Sequence, residues 1–137
     1  MLSSASKYSL IILRYLANSD LDSYHTVSEI AEVTNTPASY LSKLVIKLSR
    51  AGVIQSKRGA RGGIRLNPDA HNRTLFELCE LMKDPVVRRE CILREQPCTP
   101  INPCEYHGGC AEIEAIRGNL LRFLKESRID DLKGNNS

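Results

Sequence analysis

The residues of this chain best suited to chemistry lie close together. Cys91, Cys98, Cys104 and Cys110 fall within twenty residues, and His107 sits between the last two. Thiolates are soft donors and imidazole is a borderline one, so the set suits zinc or an iron–sulfur centre. Pro97, Pro100, Pro103, Gly108 and Gly109 keep the stretch out of regular helix, as a loop wrapped around a metal requires.

Disulfides are a competing reading, but they need an oxidising compartment. The start of the chain has no basic stretch followed by an apolar run and a small-residue cleavage site. The apolar stretch Leu10–Leu16 is interrupted by Arg14 and is too short to cross a bilayer. A cytoplasmic protein with no membrane partner is expected. Zinc usually takes closely spaced cysteine pairs, whereas the gaps here are six, five and five residues. That spacing leans toward iron–sulfur without deciding the matter.

The elements that must position this loop can be read from periodicity and capping. At 137 residues, 42% of them hydrophobic, the chain is one domain or one domain with a protruding helix. A first helix is expected from Ser4 or Ser6 to Asn18, buried on most sides. Thr26 has the form of an N-cap, with Glu29 completing a capping box before a short helix through Ile30 and Ala31. Thr34-Asn35-Thr36 makes a turn. A longer helix, capped by Thr36 with Pro37 at its first position, then runs to Arg50 or Ala51, with Leu41, Leu44, Val45 and Leu48 on one face and Gly52 closing it.

Short helix, tight turn, longer helix is the helix-turn-helix pattern, and the next fourteen residues strengthen it. Val53–Lys57 reads as a strand, residues 59–63 as a glycine-rich hairpin tip, and Ile64–Leu66 as the returning strand. That is a wing, whose Arg58 and Arg61 are suited to a narrow minor groove. The net charge is only +3, but Lys43, Lys47, Arg50, Lys57, Arg58, Arg61 and Arg65 occur in a stretch with no Asp or Glu. A basic face on a near-neutral molecule is the footprint of phosphate binding.

A further helix is expected from Thr74 to Met82, with Cys79 a buried hydrophobe, ended by Asp84-Pro85. The last helix, from Cys110 or Ala111 to about Lys125, carries a stripe of Ile113, Ile116, Leu120, Phe123 and Leu124. The stripe could cover a second subunit or dock on its own domain. The tail from Asp131 is polar. His25, His71 and His107 lie in separate segments with no nucleophile–base arrangement, so an enzyme is not expected.

Ser6-Lys7-Tyr8 in the first helix, Ser39-Tyr40-Leu41 in the recognition helix, the wing Arg58-Gly59-Ala60-Arg61-Gly62-Gly63 and the cysteine loop together resemble the bacterial winged-helix regulators that carry an iron–sulfur cluster, the IscR/NsrR-like family. The resemblance covers essentially the whole chain. It implies a homodimer with crossing C-terminal helices on a two-fold symmetric site in double-stranded DNA. It further implies base contacts from Ser39, Ser42 and Lys43, a wing arginine, Arg58, in the minor groove, and Tyr40 and Arg61 among the DNA-binding residues. Cys91, Cys98, Cys104 and His107 become ligands to a 2Fe–2S cluster in preference to 4Fe–4S, with Cys110 an alternative fourth ligand. The chain departs from the family in the six-residue gap after Cys91 and in the additional Cys110. It also has Lys7, Tyr8 and Ser9 where 4Fe–4S members supply an acidic side chain.

The expected fold is mainly α with a small β-hairpin. Residues 1–84 would form a winged helix-turn-helix DNA-binding domain, 85–110 a cluster-binding loop and 111–130 a dimerisation helix. The expected function is a transcription regulator sensing iron–sulfur, redox or nitric oxide status. The alternatives are a cluster-free regulator sensing through its cysteines and a zinc-stabilised structural protein.

Overall fold

Ser3 opens the first helix: its hydroxyl accepts the Ser6 N–H at 3.2 Å, satisfying one of the free donors of the first turn. In the computed structural model, which describes residues 2–88 and 110–134, this helix, α1, spans Ser4–Ala17. It buries Ser6, Ser9, Ile12, Leu13, Leu16 and Ala17. The expected ligands Cys91, Cys98, Cys104 and His107 lie outside the described residues.

Helix α2 (Val27–Thr34) starts where expected, with the Thr26 hydroxyl accepting the Glu29 N–H at 3.1 Å. The return half of the capping box is not made. Glu29 instead accepts from the Tyr15 hydroxyl at 3.0 Å and stands 3.6 Å from His25 Nδ1. Asn35 closes α2 in the left-handed region (φ 54°), a conformation Asn tolerates. Helix α3 (Ala38–Arg50) begins after Pro37, which is itself extended and provides no side-chain cap. Thr36 therefore does not cap α3; its hydroxyl meets that of Thr34 at 2.8 Å and closes the turn between the helices. Gly52, at φ 75°, ends α3 as expected, letting the Val53 N–H reach the Leu48 carbonyl at 3.0 Å.

Strands β1 (Ile54–Lys57) and β2 (Gly63–Leu66) form an antiparallel pair with Ile54 opposite Leu66 and Lys57 opposite Gly63. His25, just before α2, adds an isolated bridge on the other edge of β2: its N–H and carbonyl each bond Ile64 at 2.8 Å. Gly63 makes that approach possible, since a Cβ there would collide with the His25 carbonyl oxygen, and its φ is 146°. A 3₁₀ turn at Pro68–Asn72 leads to α4 (Leu75–Leu81), capped by Thr74.

Helix α5 (Cys110–Glu126) comes after the undescribed stretch. Its apolar stripe divides: Leu124 is fully buried and Leu120 packs partly on the core, while Ile116 and Phe123 are more than half exposed. The chain then turns back along α4. The Leu75 N–H bonds Ser127 O, and the Ile129 N–H bonds Arg73 O, both at 2.9 Å. Ile129, inside a short 3₁₀ turn (Ile129–Leu132), is buried in the core. The architecture is a helical domain with a two-stranded wing. No helix among the described residues is long and apolar enough to cross a membrane.

Candidate nucleic-acid interface

The inner face of α3 buries Leu41, Leu44 and Leu48, which leaves the opposite face to solvent. Ser39, Ser42 and Lys43 all lie on that exposed face. The Ser42 hydroxyl donates to the Ala38 carbonyl at 2.9 Å, so its oxygen remains free to accept. Tyr40 is half-buried, its ring edge-on to Tyr8 of α1 at 5.1 Å, which holds the start of α3 against α1. Ser49 and Ser56 share a 2.6 Å hydrogen bond that ties the end of α3 to β1.

The seven cations of the basic stretch do not all serve one surface. Arg65 is engaged internally: its guanidinium lies 4.7 Å from the centre of the Tyr24 ring, and it donates to Gln55 Oε1 at 2.9 Å and to the Asp22 carbonyl at 3.3 Å. Lys57 also approaches this ring, with Nζ 5.6 Å from its centre. Lys43, Lys47, Arg50, Arg58 and Arg61 are exposed and make no hydrogen bond or ion pair among the described residues. Arg58 and Arg61 flank the wing tip, where the Gly62 N–H bonds Gly59 O at 2.9 Å and keeps the turn tight. Exposed cations without a partner among the described residues, on a helix and an adjoining wing, are suited to phosphates and groove edges.

Away from this face, Asp84 is a fully buried carboxylate. It accepts from the Ser6 hydroxyl at 2.6 Å and from the Ser3 and Val86 N–H groups at 2.9 Å each. Burial pushes its carboxyl upward, but these donors, led by Ser6, outweigh it and hold it below the ordinary aspartate value. Burial, with the Asp84 charge nearby, pushes the Cys79 thiol up to about 11. Cys79 is accordingly a packed core residue and not a reactive thiol. No group of three or more His, Cys, Asp or Glu among the described residues is placed to hold a metal ion.

Over residues 2–135 the chain matches the Rrf2 family model, described as an iron-dependent transcriptional regulator. The chain belongs to the Rrf2 family. A provisionally named HTH-type transcriptional regulator of Aquifex aeolicus is 33% identical over 132 residues, which cover 95% of this chain and 89% of the relative. The HTH-type regulator NsrR of Shouchella clausii is 29% identical over 132 residues, with 96% and 87% covered. Among solved structures, CymR, the global cysteine regulator of B. subtilis, superposes with a TM-score of 0.70 at 25% identity, with 96% of this chain and 95% of CymR covered. The expected winged helix-turn-helix is thereby shown, and with it a DNA-binding transcriptional regulator rather than an enzyme.

In this Rrf2 chain the sequence reading missed Tyr24 and His25, which brace the wing from the α2 side. The available signal was the close backbone approach that Gly63 serves, but a glycine does not name its neighbour. It also passed over Ile46, an aliphatic residue on the exposed face of α3.

Proposed function

We propose that this Rrf2 chain is a dimeric regulator whose Cys91–Cys110 segment holds an iron–sulfur cluster and thereby reports iron, redox or nitric oxide status to DNA. The observation that carries the proposal is the set of four cysteines and one histidine inside a chain whose match to an iron-dependent family runs through residues 2–135. Cys79 stands apart from that set, buried and held protonated, which leaves the other four thiols as donors.

Three thiolates from Cys91, Cys98 and Cys104 with the His107 imidazole fit a 2Fe–2S centre, and Cys110 is the alternative fourth donor. Such a centre supplies one-electron redox chemistry and lability toward oxidants. Ligation would draw these residues together and set the path of the chain between Arg88 and the first turn of α5. The far end of α5 is anchored, through Leu124 and the returning segment at Ser127–Ile129, to the domain that carries α3 and the wing. A change in the loop therefore reaches the relative placement of two DNA-reading heads if the exposed half of α5 forms the dimer contact.

Anaerobic purification followed by iron and acid-labile sulfide analysis with an absorption spectrum tests the proposal. Coloured protein with comparable iron and sulfide is expected. Colourless protein with one tightly bound zinc per chain would overturn it. A second reading, prompted by the likeness to CymR, is a cluster-free regulator sensing another signal through its cysteines. Iron-free protein whose operator binding responds to thiol oxidants would select that reading.

A further inference from the structure

Ile46, on α3, is 52% exposed and does not pack against the core. At 3.6 residues per turn, Ser39, Ser42, Lys43, Ile46 and Arg50 share one face of α3. Ile46 stands near the middle of that face, one turn beyond Ser42 and one turn before Arg50. Its neighbours on that face are hydroxyls and cations, so among the described residues about half of its apolar surface stays uncovered. Leaving that surface in water is unfavourable, and the penalty is relieved when a partner covers the face.

The chemistry of the partner can be read from the side chains around the isoleucine. Lys43, Lys47 and Arg50 select a polyanion, and the family is a DNA-binding one. Phosphates and base-edge donors or acceptors give an aliphatic side chain nothing to bind. Within the major groove, the apolar group presented at base edges is the C5-methyl of thymine. We propose that Ile46 reads a thymine methyl group in each half-site, making it a specificity-determining residue flanked by the hydrogen-bonding Ser42 and Lys43. The inference rests on α3 being the base-reading helix.

The test uses full-length protein and a duplex operator selected from a random pool, with each thymine replaced in turn by deoxyuridine, which removes only the methyl group. One thymine position per half-site should show a loss of roughly fourfold in affinity, the worth of one buried methyl. Ile46→Ala should lose a similar factor on the thymine operator and become indifferent to deoxyuridine at that position, while Ile46→Val keeps part of the discrimination. The thermal midpoint of Ile46→Ala should stay close to wild type, since Ile46 is outside the packed core. If Lys43→Ala weakens binding but Ile46→Ala retains the full deoxyuridine sensitivity, the methyl contact is overturned and the base-reading helix survives. If neither Lys43→Ala nor Ile46→Ala weakens binding, α3 is not in the groove and both readings fall.

Discussion

The Ser6 hydroxyl donates to the Asp84 carboxylate at 2.6 Å, joining the first turn of α1 to the end of the DNA-binding unit across 78 residues of chain. Ser3 and Val86 complete the ring of donors around this buried carboxylate. Asp84 thus fixes where the chain leaves α4 and enters the cysteine-rich stretch, and it does so against the helix on which Tyr40 of α3 leans through Tyr8.

This arrangement makes stability depend on pH in a defined direction. The folded-state pKa of Asp84 lies below its ordinary value of 3.8, so its contribution is fully present above that value and is lost as pH falls through the lower, folded pKa. Asp84→Ala leaves buried N–H and O–H groups without an acceptor and should cost about 2–4 kcal/mol. In urea unfolding at pH 7 the variant should show a lower midpoint, and the acid-induced loss of stability should be shallower than in wild type. An unchanged midpoint would show that the ring of donors is satisfied by water.

Arg58→Ala should weaken operator binding by about 1–3 kcal/mol, as is typical of a groove-reading arginine, and by more than Arg50→Ala or Lys57→Ala. Arg65→Ala should behave differently, because its guanidinium is committed to Tyr24 and Gln55. That variant should lower thermal stability and affect DNA binding only through the wing. Gel-shift titrations at fixed salt, paired with thermal melts, separate the two.

Gly63→Ala should disrupt the wing more than Gly59→Ala. A Cβ at position 63 meets the His25 backbone, whereas one at position 59 meets open space, although both glycines have positive φ. Hydrogen exchange at the Ile64 and His25 amides reports the difference directly. Equal protection in the two variants would show that the His25 bridge is not held through Gly63.

Cys79 should resist alkylation in the native protein, being buried with its thiol pushed up to about 11. Mass spectrometry after brief iodoacetamide treatment should find it unmodified until denaturant is added. Cys79→Ala should leave iron content unchanged, whereas Cys98→Ala or Cys104→Ala should abolish it if these residues are ligands. Comparing His107→Ala with Cys110→Ala then identifies the fourth donor by which one bleaches the protein.

Ile116→Glu combined with Phe123→Glu should convert a dimer to a monomer in light scattering and weaken binding to a two-fold operator. Both side chains are more than half exposed on α5 and are too apolar to leave in water without a partner. A wild-type monomer at micromolar concentration would overturn the dimer.

The chain states its local structure openly. The cap at Thr26, the stop at Gly52, the leucine face of α3 and the hairpin glycines act within three or four residues of themselves, so each is legible without knowing the fold. The donor types at Cys91, Cys98, Cys104 and His107 are equally plain, because ligand chemistry belongs to the side chain. What tertiary structure decided are relations across long separations. Periodicity placed five apolar residues on one stripe of α5, but only the packing of α4 and the return of Ile129 determined that Leu124 is covered and Phe123 is not. Charge counting put Arg65 with the other six cations of its stretch, and the hairpin then turned it onto Tyr24. Asp84 read as a helix terminator until α1 brought Ser6 to it. Pairings of this kind form when the whole core closes, and no residue near either partner announces them.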